Sequence, residues 1–143
     1  MNTTQQSQFQ STVPDIFLSL INIHTLIAEY GIEKNLSHLV MLRASQINGC
    51  SFCVAMHTQD ARKEGESNQR LDSLIVFRDM DCFDDKEKLA LEWTEALTTL
   101  DSKIAHKELH SQLLEYYSAQ QISALTSLIG LINVWNRIRI SEH

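Results

Sequence analysis

From Pro14 to Gly31 the chain reads PDIFLSLINIHTLIAEYG, with apolar side chains at Ile16, Phe17, Leu20, Ile23, Leu26, Ile27 and Tyr30. Steps of three and four residues place these on one face of a helix. Pro14 suits a first helical position, where its missing N–H costs nothing. Gly31 suits a left-handed stop. KNLSHLVMLRASQIN predicts a second helix with Leu36, Leu39, Val40, Leu42 and Ile47 as buried positions, interrupted at Gly49. A third helix is expected from about Cys50 to Glu64, closed by Gly65. ESNQRLDSLIVFRDM follows as a short helix opened by Ser67 as N-cap. In FDDKEKLALEWTEALTTL, Asp84 and Glu87 have the reciprocal spacing of a capping box, and Leu89, Leu91, Trp93, Ala96, Leu97 and Leu100 form the apolar side. HKELHSQLLEYY is a sixth helix. SAQQISALTSLIGLINVWNRIRI is the last, opened by a second box of Ser118 and Gln121.

The last helix is apolar almost all round, at Ile122, Leu125, Leu128, Ile129, Leu131, Ile132, Val134 and Trp135. Such a helix is buried on nearly every side. In so small a domain, part of that cover is expected from a second subunit. Gly130 within it predicts close approach by a neighbouring backbone. Four glycines and one proline in 143 residues favour long helices over a turn-rich sheet. The expected fold is therefore all-α, a compact bundle of six to seven helices. Residues 14–143 form the single domain, and residues 1–13 a flexible N-terminal lead-in.

Charge and leader signals narrow the partners. A formal net charge of -6 argues against nucleic-acid binding, which needs a basic footprint. No apolar run approaches the roughly 18 residues that span a bilayer, so no membrane role is expected. The N-terminus lacks the basic and apolar regions of a signal peptide, which predicts a cytoplasmic protein. Thiols are kept reduced there. The odd cysteine count, three, also disfavours a disulfide framework.

That context sharpens NGCSFCVAMH, where Cys50 and Cys53 form a C-x-x-C pair and His57 follows four residues later. Steps of three and four residues make the three side chains one stripe on a helix. The break at Gly49 puts both cysteines at the helix start, where free N–H groups and the dipole favour a thiolate. His57 can take the thiol proton. Cys53 is the better activated nucleophile. Once it is a sulfenic acid, Cys50 is placed to form a disulfide with it. Two other readings stay open at this point. The cysteines could be small buried hydrophobes. They could also combine with His57 and His38 as a structural Cys₂His₂ zinc site.

The segment LRASQINGCSFCVAMHTQDARKEGESNQRL, with FDDKEKLALEWTEALT and LINVWNRIRI, closely resembles the carboxymuconolactone decarboxylase-like superfamily, on its AhpD-like alkylhydroperoxidase branch. The resemblance runs from about residue 15 to 140. It implies an all-α fold that assembles into homo-oligomers, trimers or hexamers. It implies peroxide reduction by the cysteine pair: Cys53 forms the sulfenic acid, Cys50 resolves it, and His57 is the family histidine. The partners implied are a peroxide substrate and an external dithiol reductant, lipoyl-linked or thioredoxin-like. No metal or organic cofactor is required. The family relay usually carries a Glu twelve residues before the first cysteine, a position held here by His38. A histidine can also pass a proton near neutral pH, so His38 is a candidate relay to His57. Better-known members also carry a His just before the second cysteine, where this chain has Phe52. The alternative within the same fold is a non-catalytic, stress-related or structural oligomer.

Other candidate residues read more plainly. Cys82 lies among acidic residues, which disfavour its thiolate, and is expected as an inert thiol. His24 is expected as a packed or interface residue. His106 and His110 have metal-capable i, i+4 spacing but read as a solvated face. Asn133, Trp135, Asn136 and Arg137 form a polar-aromatic cluster, read as an interface.

Overall fold

The computed structural model describes residues 7–142. Among them it contains eight α-helices and one 3₁₀ segment. The helices are α1 (Gln8–Thr12), α2 (Pro14–Ala28), α3 (Lys34–Asn48), α4 (Ser51–Lys63), α5 (Asn68–Ser73), α6 (Asp85–Thr99), α7 (His106–Leu113) and α8 (Ala119–Ser141). The all-α expectation holds, with one helix more than the upper count. That helix is α1, inside the segment expected as a lead-in. Ser7 Oγ and the Phe9 N–H both donate to the Glu142 carboxylate, at 3.0 and 2.6 Å, tying α1 to the end of α8. The first six residues of the lead-in lie outside the described residues.

Both capping boxes form as their spacing predicts. Asp84 accepts from the Glu87 N–H at 2.8 Å and Ser118 from the Gln121 N–H at 3.1 Å, each with the reciprocal bond. The helix expected after Ser67 breaks in two. Its second half, Leu74–Asp79, is a 3₁₀ turn in which Val76 leaves helical geometry at φ -121°. Leu74 and Phe77, three apart, are both fully buried there. That spacing serves a 3₁₀ turn as well as an α-helix.

Two apolar clusters fill the interior. The larger joins α3, α6, α7 and α8, with Val40, Leu113, Leu125, Ile129 and Ile132 at its centre. The smaller gathers Leu39 and Leu42 of α3 and Ala61 of α4 with Leu71, Leu74, Phe77 and Leu91. Arg70 holds the second cluster's rim. It pairs with Glu66 at 2.6 Å and with Glu87, donates to the Cys82 carbonyl, and lies over the Phe83 ring. Cys82 is a free, half-buried thiol packed on this cluster.

One expectation about covered surface is corrected. α8 is buried mostly by its own chain, with Ile122, Leu125, Leu128, Ile129, Leu131 and Ile132 all in the core, while Val134, expected among its apolar positions, is 40% exposed. Gly130 faces outward, and a Cβ there would meet nothing within 4 Å, so no neighbouring backbone approaches it in this chain. The uncovered apolar face is instead on α2, where only Ile27 is buried and Ile16, Ile23, Leu26 and Tyr30 are exposed. Leu100, expected on the apolar side of α6, is an exposed left-handed cap beyond its end.

Candidate active site

α3 ends and α4 begins within three residues. Gly49 takes the left-handed conformation at φ 69°, and the N–H groups of Gly49 and Cys50 return to the carbonyls of Gln46 and Ser45. This is a Schellman closure, which a glycine makes at low cost. It turns the chain so that Cys50 becomes the N-cap of α4. The Cys50 sulfur accepts from the Cys53 N–H at 3.3 Å, doing at this cap what an oxygen does at most. The turn is fastened to α8. Asn48 Nδ2 donates to the side-chain oxygens of Asn133 and Asn136, both at 2.9 Å, and Asn136 Nδ2 donates to Ser45 Oγ at 2.9 Å. The cluster expected as an interface thus divides. Asn136 is fully buried in this network, Arg137 is an exposed side chain on the Asn133 carbonyl, and Trp135 lines a cavity.

Cys50 and Cys53 are joined as a disulfide, with Cα atoms 5.3 Å apart. Both are buried, at 2% and 1% exposure. With both sulfurs bonded to one another, the Cys₂His₂ zinc set is not available in this state. A cavity of about 210 Å³ opens on Cys53 and His57, walled by Phe17, Ile21 and His24 of α2, Phe52 and Met56 of α4, and Trp135 and Arg139 of α8. The wall is apolar and aromatic. Its one cation is the Arg139 guanidinium, 4.0 Å over the Phe52 ring. A second recess, of about 190 Å³, reaches Cys50 from the other side of Phe52, between Ser51 and Ile140.

All four sequence-predicted site residues come together. His57 is 6% exposed, and neither ring nitrogen has a hydrogen-bond partner. Burial chiefly, with the neighbouring His38 and His24, pushes its pKa down to about 4, against an upward pull from Asp60. At neutral pH it is therefore an uncharged imidazole with a free lone pair. Behind it, His38 of α3 and Asp60 of α4 each bring a ligating atom within 4.8 Å of the other two. Asp60 is a carboxylate one helical turn beyond His57, and the sequence reading did not single it out. The H-x-x-D spacing was the available signal.

His24 does more than pack. Its Nε2 accepts from Trp135 Nε1 at 2.9 Å, and the two rings stack with centroids 6.3 Å apart. Accepting at Nε2 fixes the neutral tautomer with its proton on Nδ1, and burial lowers the His24 pKa in the same sense. The pair spans 111 residues, so no local pattern announces it. His106 and His110 stand apart from this centre, edge-on to Trp93.

Comparison with known proteins shows the family and the fold. The profile of the carboxymuconolactone decarboxylase family matches residues 14–96. YdfG of Bacillus subtilis (strain 168), an uncharacterized protein, is 35% identical over 138 residues, covering 96% of this chain and 94% of its own. A crystal structure from Agrobacterium tumefaciens, of unknown function and provisionally assigned as an AhpD antioxidant-defence protein, superposes with a TM-score of 0.87 at 32% identity, covering 94% of this chain and 92% of the other. The debrominase Bmp8 shares the fold, with a TM-score of 0.82 at 19% identity, covering 93% of this chain and 72% of its own.

Proposed function

The chain belongs to the carboxymuconolactone decarboxylase family, on its AhpD-like branch, and from that premise we propose that it is a thiol-dependent peroxidase acting through Cys53, Cys50 and His57. The observation that carries the reading is the buried Cys50–Cys53 disulfide at the start of α4, opening on a cavity shared with a neutral His57. In the reduced protein, His57 accepts the Cys53 thiol proton and the helix N-terminus stabilises the thiolate. The thiolate attacks the outer peroxide oxygen. The O–O bond breaks, an alcohol leaves with a proton, and Cys53 becomes a sulfenic acid. Cys50 attacks that sulfur, water leaves, and the disulfide forms. An external dithiol, lipoyl-linked or thioredoxin-like, then returns two electrons and two protons and departs as its own disulfide.

The apolar, aromatic wall favours a hydroperoxide with an apolar body over hydrogen peroxide alone. His38 and Asp60 support His57 from behind, as a proton path and an orienting charge. The exposed face of α2 supports assembly into a homo-oligomer: Ile23, Leu26 and Tyr30 border an open groove against the first turns of α8. Among the described residues no helix is long and apolar enough to cross a membrane.

The test is consumption of cumene hydroperoxide by the reduced protein in single turnover. Wild type is expected to lose two hydrogens and link Cys50 to Cys53 by mass spectrometry. Cys53→Ser should abolish consumption, and Cys50→Ser should stop at the sulfenic acid. A Cys53→Ser protein as fast as wild type would overturn the assignment.

A further inference from the structure

His38, His57 and Asp60 do more than flank the disulfide. One ligating atom from each lies within 4.8 Å of the other two. His57 and Asp60 are three residues apart on α4, so both project from one face. An i, i+3 carboxylate–histidine pair from one helix, completed from a facing helix, is how helical bundles build metal centres. Here the facing donor is His38 of α3. His57 is 94% buried by its 6% exposure, yet neither of its nitrogens has a partner. The buried Nδ1 of His38 likewise has none. Buried polar atoms are almost always paired, so two neighbouring imidazoles with unpaired buried nitrogens beside a carboxylate mark a place shaped for another group. Asp60 and His38 are only half-buried, which leaves a path in from solvent.

We propose that His38, His57 and Asp60 form a binding site for a divalent transition-metal ion of the zinc class. Two imidazole nitrogens and one carboxylate oxygen suit zinc and its neighbours, not the oxygen-seeking calcium or magnesium. Donors around a tetrahedral zinc at about 2.1 Å lie about 3.4 Å apart, so from separations within 4.8 Å the three groups close by up to about 1.4 Å. Rotation of the half-exposed Asp60 and His38 side chains provides that movement. Three protein donors leave a further position for water or another ligand. The site does not depend on the peroxidase reading. One consequence does: an ion here takes up the His57 lone pair that the Cys53 proton would need, so metal binding and thiol activation exclude each other.

The test titrates the fully oxidised protein with zinc against a chromophoric chelator, so that the disulfide keeps both sulfurs out of coordination. One zinc per chain is expected. Asp60→Asn and His38→Gln should each weaken binding by on the order of tenfold or more, with the helical circular dichroism unchanged. The double variant His106→Gln/His110→Gln, which removes the half-buried His106 and the exposed His110 of α7, should bind as wild type. Absence of zinc binding by the oxidised wild type would overturn the site. So would binding that survives both Asp60→Asn and His38→Gln, or binding lost with the α7 pair. No peroxide enters this measurement, so a failure here leaves the peroxidase test standing, and the reverse also holds.

Discussion

Burial of a neutral His57 should make the protein acid-labile in a specific window. In the unfolded chain the imidazole has its ordinary pKa of 6.5, and in the folded chain it is pushed down to about 4. Between those values the unfolded chain binds a proton that the folded chain refuses, so stability falls as pH falls. Above 6.5 both states are neutral and the group contributes no slope. Each pH step that protonates only the unfolded state costs about 1.4 kcal/mol. Going from about pH 7 to about pH 5, the loss is about 2 kcal/mol, approaching about 3 kcal/mol near the folded pKa. The groups facing His57 set this outcome. His38 and His24 disfavour its charge and Asp60 favours it, but burial is the largest cause. The assay is urea unfolding of wild type and His57→Gln, disulfide intact, at one protein concentration across this range. Titrating groups remote from His57, Glu87 beside Arg70 included, contribute equally to both proteins and cancel in the difference. Wild type should lose about 2 kcal/mol more than the variant by about pH 5. Parallel profiles would refute the buried, neutral imidazole.

Four further outcomes follow from named contacts. Arg70→Ala strips the partner from the buried Glu66 and from Glu87, and should cost about 3 kcal/mol in chemical denaturation. Gly130→Ala, on an open helical face where the new Cβ meets nothing, should raise stability by about 1 kcal/mol in thermal unfolding. Leu26→Asp, on the exposed face of α2, should lower the mass measured by light scattering to that of one chain while leaving the helical signal intact. Zinc should slow cumene hydroperoxide consumption by wild type and affect Asp60→Asn far less, read as initial rates at fixed free zinc.

What could be read from the sequence was set by the reach of each interaction. The two capping boxes form within three residues, and the Gly49 turn and the Cys50, Cys53 and His57 stripe are complete within ten. Local spacing was enough for all of them. The 3₁₀ turn was missed because Leu74 and Phe77 satisfy a helical period while Val76 does not hold helical angles. The Arg70 hub shows locally only in the i, i+4 spacing of Glu66, while its bonds to Cys82 and Glu87 reach 12 and 17 residues away, beyond any local pattern. The apolar period of α2 was correctly seen, but period alone does not say what covers a face. Within one chain that face stays open, while α8 is covered mostly by its own core, with Val134 and Ile140 exposed.

The candidate site divides along the same line. The proposed nucleophile, resolving thiol and base lie between the N-cap of α4 and its second turn, so local spacing is enough to nominate them. The state of that base is decided elsewhere. His57 is neutral because it is walled by α2 and α8 and faced by His38 and His24, which arrive from two other helices. The sequence placed His24 among packing residues because its partner, Trp135, lies 111 residues away. Removing that partner should therefore alter the chemistry of α4 without touching it. Trp135→Ala would open the cavity wall, admit water beside His57, and move its pKa up toward 6.5.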